Sequence, residues 1–538
     1  MILIRTLYIE EGISEIVQIE CDSAPGIPGI VFSGRAGKII EESSIRVRQA
    51  IRNTFDISFT SKILINLIPS DIQKNTNLFD LPLAIAILGA INKISFSIYD
   101  ILILGELSLS GKLEVNHSVI PHILRAKKYG FKDSIIPYEN LPDTLNLPLN
   151  IKKVKNLSEC WQILKKNLKF NDTGSNNFNK NIGIDKDIEK NQIKKTEKNF
   201  HQQKSIYFNK TTFKDNIITD ILSDDVIDYD FKDYKGGILV KRALIICAAG
   251  FHSIYLLGPS GTGKTLLSMM FKNILPPLLK KEQYELIDLY SQYGIPYDLN
   301  NTKRPFRNPH HSSTIVSMVG GGTPLSIGEV SLSNRGVLVL DEINLFNKKV
   351  LESLREPFEE QMVTISRSKY KITLPSSFLL FLISNLCSCG NYGSLKRVCN
   401  CTQEQRNIFI SHVSNALKDR IDITFIISDE QNINETELDT KTMRNIVIKA
   451  FEKQFYRFID SDFNFNGKIY KTEIKKYIKL DPILETYLYE TMKKSGQSFR
   501  KMEKVIKVAR TIADIEDHAE ITKKDLIESL FFVTGLKY

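Results

Sequence analysis

One glycine-rich segment has the residue types and spacing of a phosphate-binding loop. An apolar run, IYLL, precedes it and a helix-forming run, LLSMMFKNIL, follows it. The loop consists of Gly258, Pro259, Ser260, Gly261, Thr262, Gly263, Lys264 and Thr265. Glycines let backbone N–H groups curl around a phosphate at the start of a helix. We therefore predict that Lys264 binds the β- and γ-phosphates of ATP and that the Thr265 hydroxyl binds Mg²⁺.

Two acidic residues follow a second apolar run further along the chain. Residues 336–340 read GVLVL, and Asp341 and Glu342 come next. A continuously apolar run suits a central parallel strand that is buried on both faces. Asp341 is predicted to complete the Mg²⁺ site, and Glu342 is predicted to polarise the attacking water. This combination is typical of an enzyme that hydrolyses ATP.

A third apolar run, FLLFLI at residues 378–383, precedes Asn385. Its side chain is predicted to orient water near the γ-phosphate. Three apolar strands that each end in a polar group favour an α/β fold. We expect a doubly wound parallel sheet with its site at the carboxyl ends of the strands.

Four of the seven cysteines fall within a short segment rich in Gly, Asn, Ser and Lys. They form two close pairs, Cys387 with Cys389 and Cys399 with Cys401. Four thiolates of this kind could hold Zn²⁺ in a tetrahedral site. The C-x-C spacing is tighter than the common C-x₂-C spacing, so four reduced cysteines in a loop remain the alternative.

Composition divides the chain into blocks. Residues 1–165 mix helical and strand-like runs, with helices expected near 36–54 and 121–130 and strands near 61–68 and 101–104. Residues 166–226 are rich in Asn, Lys and Asp and are predicted to be a disordered linker. Alternating strands and helices over 227–434 indicate the catalytic core, and a helical tail is expected over 435–538.

Length and charge narrow the class of protein. The chain has 538 residues, 42% of them hydrophobic, which excludes collagen-like and fully disordered classes. A net charge of +10 is compatible with a polyanionic partner. The longest apolar run, residues 81–90, is too short to span a bilayer and is expected to be a buried core element. We therefore expect a cytoplasmic protein without a membrane partner.

Further runs extend this interpretation to most of the chain, which resembles the bacterial magnesium-chelatase-like AAA+ ATPases of the ComM/YifB subfamily. The runs are GIPGIVFSG (26–34), INLIPSDI (65–72), FDLPLAIAIL (79–88), LGELSLSG (104–111), RPFRNPHHS (304–312), VGGG (319–322), GEVSL (328–332), VTISR (363–367), CSCG (387–390), DRID (419–422) and VARTIAD (508–514). The resemblance implies a Lon-protease-like domain at 1–165, an AAA+ core at 227–434 and a helical lid at 435–538.

The resemblance also implies a ring of identical chains, a homohexamer, with ATP at the subunit interfaces. Arg420 then resembles the arginine finger that acts on the neighbouring subunit, and Arg500 resembles the sensor-2 arginine of the lid. A guanidinium is always protonated and stabilises charge on a transferring phosphoryl group. From the sequence alone, either arginine could instead be a surface ion-pair residue.

By resemblance the partner is branched or single-stranded DNA, and the activity is that of a branch-migration helicase in recombination and natural transformation. Candidate DNA-facing loops are residues 318–329 and residues 366–371, the second with Arg367, Lys369 and Lys371. The alternative is that both are ordinary solvated hairpins. A second candidate function is that of a magnesium-chelatase motor subunit, which drives metal insertion into a tetrapyrrole.

The N-terminal block resembles Lon-type proteases through GELSLSGKL (105–113) and KKYGFKDSIIP (127–137). Such an enzyme needs a serine nucleophile and a lysine base. The matching positions are Leu83 and Ile120, and neither side chain can attack a carbonyl or move a proton. The sequence therefore predicts a structural or substrate-engaging domain rather than a protease.

Overall fold

The computed structural model divides into two compact units, each with its own hydrophobic core. The first comprises Met1–Phe200 with Tyr284–Asn301, and the second comprises His201–Gln283 with Thr302–Tyr538. The residues described are 1–10, 13–72, 74–114, 119–138, 149–167, 171–172, 213, 229–298, 301–323, 325–366, 371–428 and 438–534. The predicted linker lies almost wholly outside these residues, and the predicted domain boundaries stay a prediction.

A five-stranded sheet with the order β3-β4-β2-β1-β6 dominates the first unit. The strands of this unit are β1 (Ile2–Glu10), β2 (Ile13–Ala24), β3 (Gly29–Ser33), β4 (Lys62–Ile68), β5 (Ile94–Ser95), β6 (Ser97–Ile98), β7 (Ile101–Ile103), β8 (Glu106–Leu107), β9 (Leu113–Glu114), β10 (Asp133–Pro137), β11 (Asn150–Val154) and β12 (Asn171–Asp172). Strand β4 buries Ile63, Ile65 and Leu67, whose alternate spacing puts them on one face. This confirms the strand expected near 61–68.

Among the described residues up to 172, four helices accompany that sheet, at Lys38–Phe55, Asp80–Ile91, Val119–Ala126 and Leu157–Asn167. The helix Asp80–Ile91 is buried from Asp80 to Ala90, so the apolar run at 81–90 is a core element as expected. Its one buried carboxylate is compensated, because Arg46 Nε donates to Asp80 Oδ2 at 3.0 Å. The helices at 38–55 and 119–126 confirm the two that were expected here.

A five-stranded, fully parallel sheet with the order β14-β17-β20-β13-β21 forms the centre of the second unit. The strands of this unit are β13 (Ile254–Leu257), β14 (Phe306–Arg307), β15 (Gly320–Gly321), β16 (Ser326–Ile327), β17 (Val337–Leu340), β18 (Met362–Ser366), β19 (Lys371–Pro375), β20 (Leu379–Ser384) and β21 (Ile423–Ile426). Every residue of β13, β17 and β20 is buried, as expected for central parallel strands. The predicted parallel α/β core is therefore confirmed.

Helices connect the strands of this sheet and continue after it, and the helix Lys280–Gln292 belongs to the first unit from Tyr284 onward. Those between residues 229 and 428 are Ile238–Gly250, Lys264–Phe271, Lys280–Gln292, Ile315–Val319, Glu329–Leu332, Lys348–Ser353, Arg355–Glu360, Gln403–Ser411 and Asn415–Lys418. Those after residue 438 are Thr440–Arg457, Ile474–Tyr477, Pro482–Lys494, Phe499–Ile515 and Lys523–Thr534. Short 3₁₀ helices lie at Asn77–Phe79, Lys127–Tyr129, Phe231–Asp233, Lys272–Ile274, Ile343–Leu345, Asn466–Lys468 and Lys471–Glu473.

A buried ion pair fixes the segment that enters β14. Arg304 Nη2 donates to Glu282 Oε2 at 2.7 Å, and both side chains are fully buried. Arg304 also donates to the carbonyls of Pro276, Pro277 and Arg335. Burial raises the pKa of Glu282, but the charges of Arg304 and Arg335 and the hydrogen bonds to the carboxylate together lower it by more, so the net shift is downward. The pair therefore stays charged inside the second unit.

Candidate nucleotide-binding site

The glycine-rich loop connects β13 to the helix Lys264–Phe271, as the sequence predicted. Gly261 and Gly263 have φ angles of +85° and +77°, a left-handed conformation that favours glycine. The Tyr234 hydroxyl donates to the Thr262 carbonyl at 3.1 Å, and the Tyr234 ring would lie 3.0 Å from a Cβ added at Gly263. The loop therefore needs glycine for its backbone angles and for the space beside Tyr234.

Lys264 lies within the curve of this loop. Its Nζ donates to the carbonyls of Gly258 at 2.9 Å and Pro259 at 2.7 Å, and the residue is 7% exposed. Burial lowers the pKa of Lys264 to about 8, although the nearby Asp341 acts in the opposite direction. An anionic ligand would favour the charged ammonium, so the side chain is suited to bind phosphate.

The loop and the second strand meet at the carboxyl edge of the sheet. Thr265 Oγ1 donates to Asp341 Oδ2 at 2.6 Å, and the Glu342 N–H donates to Asp341 Oδ1 at 2.8 Å. Glu342 itself has a φ of +49° at the end of β17. A hydroxyl and a carboxylate are hard oxygen ligands of the kind Mg²⁺ prefers. The residues present therefore fit Mg²⁺ bound together with a nucleotide.

Asn385 directly follows β20, the strand that lies between β13 and β17. The preceding Ser384 Oγ donates to Asn344 Oδ1 at 2.5 Å, which ties the end of β20 to the segment after Glu342. Asn385 Nδ2 would lie 3.8 Å from a Cβ added at Gly390. The structure thus places Asn385 at the same edge of the sheet as Thr265 and Asp341.

The two arginines singled out by resemblance share one carboxylate. Arg420 Nε donates to Glu359 Oε2 at 2.9 Å, and its Nη2 donates to the same oxygen. Arg500 Nη2 donates to Glu359 Oε1 at 2.7 Å. Glu359 lies on the helix Arg355–Glu360 and was missed in the sequence, because an exposed glutamate in an amphipathic run carries no signal. Within the described residues, neither arginine donates to the loop Gly258–Thr265.

A lysine holds the segment that carries Arg420. Lys504 Nζ donates to the carbonyls of Asp419 at 2.5 Å and Ile421 at 2.6 Å, the residues on either side of Arg420. Lys504 lies one turn after Arg500 on the helix Phe499–Ile515. The two arginines are therefore tied together both through Glu359 and through the backbone.

The four clustered cysteines come together, as the zinc hypothesis requires. Their sulfur atoms all lie within 4.8 Å of one another. Cys387 Sγ lies 3.3 Å from Cys389 Sγ and 3.7 Å from Cys399 Sγ. Cys21, Cys160 and Cys247 are buried elsewhere. The donor set is compatible with Zn²⁺ and does not by itself demonstrate it.

The candidate DNA-facing loops are hairpins. Strands β15 and β16 pair within residues 318–329, a segment without lysine or arginine. Glu329 at its end binds Arg307, with Nε to Oε2 at 2.6 Å. Strands β18 and β19 pair at Ser366 and Lys371, while Arg367 and Lys369 lie outside the described residues.

The N-terminal positions that match a protease site are apolar and buried. Leu83 is 1% exposed and Ile120 is fully buried, and each lies on a helix of the first unit. Neither carries a group that can act as a nucleophile or a base.

No described helix of the protein is long and apolar enough to cross a bilayer.

Comparison with known proteins gives matches along most of the chain. The model for "Magnesium chelatase, subunit ChlI" matches residues 230–435. "Subunit ChlI of Mg-chelatase" matches residues 19–140, and "Magnesium chelatase, subunit ChlI C-terminal" matches residues 437–532.

Whole-length relatives give a finer comparison. The chain is 31% identical to the competence protein ComM of Haemophilus influenzae, covering 96% of this chain and 94% of that protein. The same identity and coverage relate it to YifB of Salmonella typhimurium. A shorter similarity, 21% over 158 residues, relates 28% of this chain to 18% of the Lon protease of Xanthomonas oryzae pv. oryzae.

Proposed function

Because the chain belongs to the magnesium-chelatase-like family of ComM and YifB, we propose that it is an ATP-hydrolysing AAA+ ring motor that acts on DNA. The observation that carries this proposal is the hydrogen bond of 2.6 Å from Thr265 to Asp341. It joins a phosphate-binding loop to an acidic strand end across a parallel sheet. That is the arrangement in which such enzymes bind and split a nucleoside triphosphate.

Each residue of the site has a role in this reaction. The backbone of Gly258–Gly263 and the ammonium of Lys264 bind the phosphates. Thr265 and Asp341 would hold Mg²⁺, which would supply positive charge beside the phosphates. Glu342 orients the attacking water and accepts its proton, and Asn385 orients the same water.

A second copy of the chain completes the site. Arg420 and Arg500 are bound to Glu359 and not to their own phosphate loop. We infer that they serve the loop of a neighbouring subunit, where two guanidinium groups stabilise the charge that develops on the phosphoryl group. This supports a ring of identical subunits, and the family favours a hexamer, with the helices after residue 435 as its lid.

DNA is the proposed substrate, and the cytoplasm is the proposed location. One full-length relative is named a competence protein, and the net charge of +10 suits a polyanion. The proposed activity is branch migration during recombination of incoming DNA. The hairpins at 318–329 and 366–371 are the proposed DNA-facing loops. Their backbone and the basic residues of the second would contact phosphates rather than bases.

A magnesium-chelatase motor subunit is the second candidate, because the matching family models carry that description. Such a motor would drive metal insertion into a tetrapyrrole together with partner subunits. The relatives that match along 94% of their own length are ComM and YifB, which favours the DNA motor. Metal insertion into protoporphyrin by the chain with chelatase partner subunits would favour the second candidate.

The first candidate predicts ATP hydrolysis that DNA stimulates. We expect forked or four-way DNA to raise the ATPase rate of the wild-type chain. We expect Lys264→Ala to abolish nucleotide binding. Glu342→Gln should instead retain ATP but lower the hydrolysis rate by about a hundredfold or more. A hydrolysis rate that is indifferent to every DNA structure would contradict the DNA part of the proposal.

A structural Zn²⁺ at Cys387, Cys389, Cys399 and Cys401 is the remaining part of the proposal. The convergence of four sulfur atoms supports it. Three of these thiols are not fully buried, so hydrophobic packing does not explain the cluster.

A further inference from the structure

The cysteine loop touches the phosphate loop. The Ser260 N–H donates to the Gly390 carbonyl at 2.7 Å. Gly390 directly follows Cys389, one of the four clustered thiols. The cluster is therefore one residue away from a backbone contact to the residues that would bind nucleotide.

Gly390 permits this close approach. Its φ is +75°, and a Cβ added there would lie 2.1 Å from Ser260 Oγ and 3.0 Å from Ser260 Cβ. A second glycine of the same loop, Gly393, would place a Cβ 3.8 Å from Pro259 Cγ. The two loops thus meet along Pro259 and Ser260, and a side chain at Gly390 would push them apart.

The middle of the cysteine loop packs poorly. Leu395 and Val398, near its middle, are 72% and 82% exposed. Contacts to and between the sulfur atoms join its two arms: the Tyr392 N–H donates to Cys387 Sγ at 3.3 Å, and Cys389 Sγ lies 3.6 Å from Cys399 Sγ. The Asn391 Nδ2 also donates to the Val398 carbonyl at 3.3 Å. In a tetrahedral zinc site, Zn–S bonds of about 2.3 Å place the sulfur atoms about 3.8 Å apart. This is close to the 3.6 Å between Cys389 Sγ and Cys399 Sγ.

We propose that Zn²⁺ bound by the four cysteines braces the phosphate loop through Gly390, so that the metal and Gly390 are positioning elements for nucleotide binding. Metal bound at Cys387, Cys389, Cys399 and Cys401 fixes the backbone at residue 390. The Gly390 carbonyl then holds the Ser260 N–H and keeps the phosphate loop open for its ligand. This inference rests on the proposed ATPase function.

The contact is tested with Gly390→Ala in the full chain, measured by the affinity for a fluorescent ATP analogue and by zinc content. The variant should keep one zinc per chain but lose about tenfold or more in nucleotide affinity. Gly130→Ala is the matched control. Gly130 also has a positive φ, +86°, but an added Cβ there meets nothing within 4 Å. Its nucleotide affinity should equal that of the wild type.

A double variant separates the contact from misfolding. Ser260→Gly removes the atoms that a Cβ at residue 390 would strike, and it serves as the reference for Gly390→Ala with Ser260→Gly. Adding Gly390→Ala should cost much less affinity in this background than in the wild type. An equal loss in both backgrounds would overturn the steric contact with Ser260.

The metal is tested with Cys389→Ser, which changes an exposed thiol. Zinc measured by mass spectrometry should fall from one per chain to none, and nucleotide affinity should fall with it. Cys160→Ala, at a buried cysteine of the first unit, should keep its zinc.

Wild-type chain purified with Zn²⁺ but retaining none would overturn the metal brace. Normal nucleotide affinity in zinc-free Cys389→Ser would overturn the coupling while leaving the ATPase proposal intact. A wild-type chain that holds zinc but binds no nucleotide would overturn both.

Discussion

Lys264 shows how single residues prepare this site for a ligand. Two backbone carbonyls hold its ammonium within the phosphate loop. Burial there weakens the charged form, whereas nucleotide phosphates would favour it. The free energy of nucleotide binding therefore depends on pH through the protonation of this side chain.

This coupling predicts a pH dependence of nucleotide affinity. The pKa of Lys264 is lowered to about 8, and bound phosphates should raise it again, so binding takes up a proton above that pH. The affinity for nucleotide should have its full value below about pH 8. It should then fall by up to about tenfold per pH unit as the pH rises toward the pKa of the bound state.

Titration of a fluorescent ATP analogue between about pH 7 and pH 9 measures this effect. Lys264→Arg is the control, because its guanidinium stays protonated throughout and should give a flat profile if it binds. A wild-type affinity that does not change across this range would contradict the role assigned to the lysine.

The sequence predicted the place of this loop, between a strand and a helix, because its signal is local. Gly261, Gly263, Lys264 and Thr265 are adjacent in the chain, so their spacing alone defines the loop. Glu359 could not be found in this way. It is 61 residues from Arg420 and 141 from Arg500, and only the folded chain brings the three together.

At the scale of elements, three segments meet at Glu359. It lies on the helix Arg355–Glu360. It binds Arg420, which precedes β21, and Arg500, which lies in the first turn of the helix Phe499–Ile515. Lys504 reinforces the same junction by binding the carbonyls on either side of Arg420. The two arginines are therefore linked to each other through these elements.

Glu359→Gln should weaken this junction without touching the phosphate loop. We expect the maximal ATPase rate to fall about tenfold or more, because misplaced guanidinium groups stabilise the transition state less well. The affinity for an ATP analogue should change little. Glu360→Gln, a change of the adjacent exposed glutamate, should leave both quantities unaltered. Equal rates for the two variants would show that Glu359 does not position the arginines.

The positions of strands were predictable from the sequence where the strands are buried on both faces. Continuous apolar runs marked β13, β17 and β20, because central parallel strands need no polar face. The grouping of Tyr284–Asn301 with the first unit was not predictable. Nothing in its local composition separates it from the residues around it, and tertiary contacts alone decide where it packs.

At the scale of the whole molecule, we propose that a single chain holds two incomplete halves of an active site. Lys264, Thr265, Asp341 and Glu342 gather at the edge of the parallel sheet. Arg420 and Arg500 both bind Glu359, on the helix Arg355–Glu360. The central claim is that two neighbouring copies join these halves to hydrolyse ATP.

Mixing two inactive variants tests that claim most directly. Lys264→Ala leaves the arginines intact, and Arg420→Ala leaves the phosphate loop intact. With DNA present, each variant alone should hydrolyse ATP at only a small fraction of the wild-type rate. In an equimolar mixture, interfaces that pair an intact loop with an intact arginine should restore a clear part of that rate. Mixed assemblies that form but hydrolyse no more ATP than the separate variants would contradict a site shared between subunits.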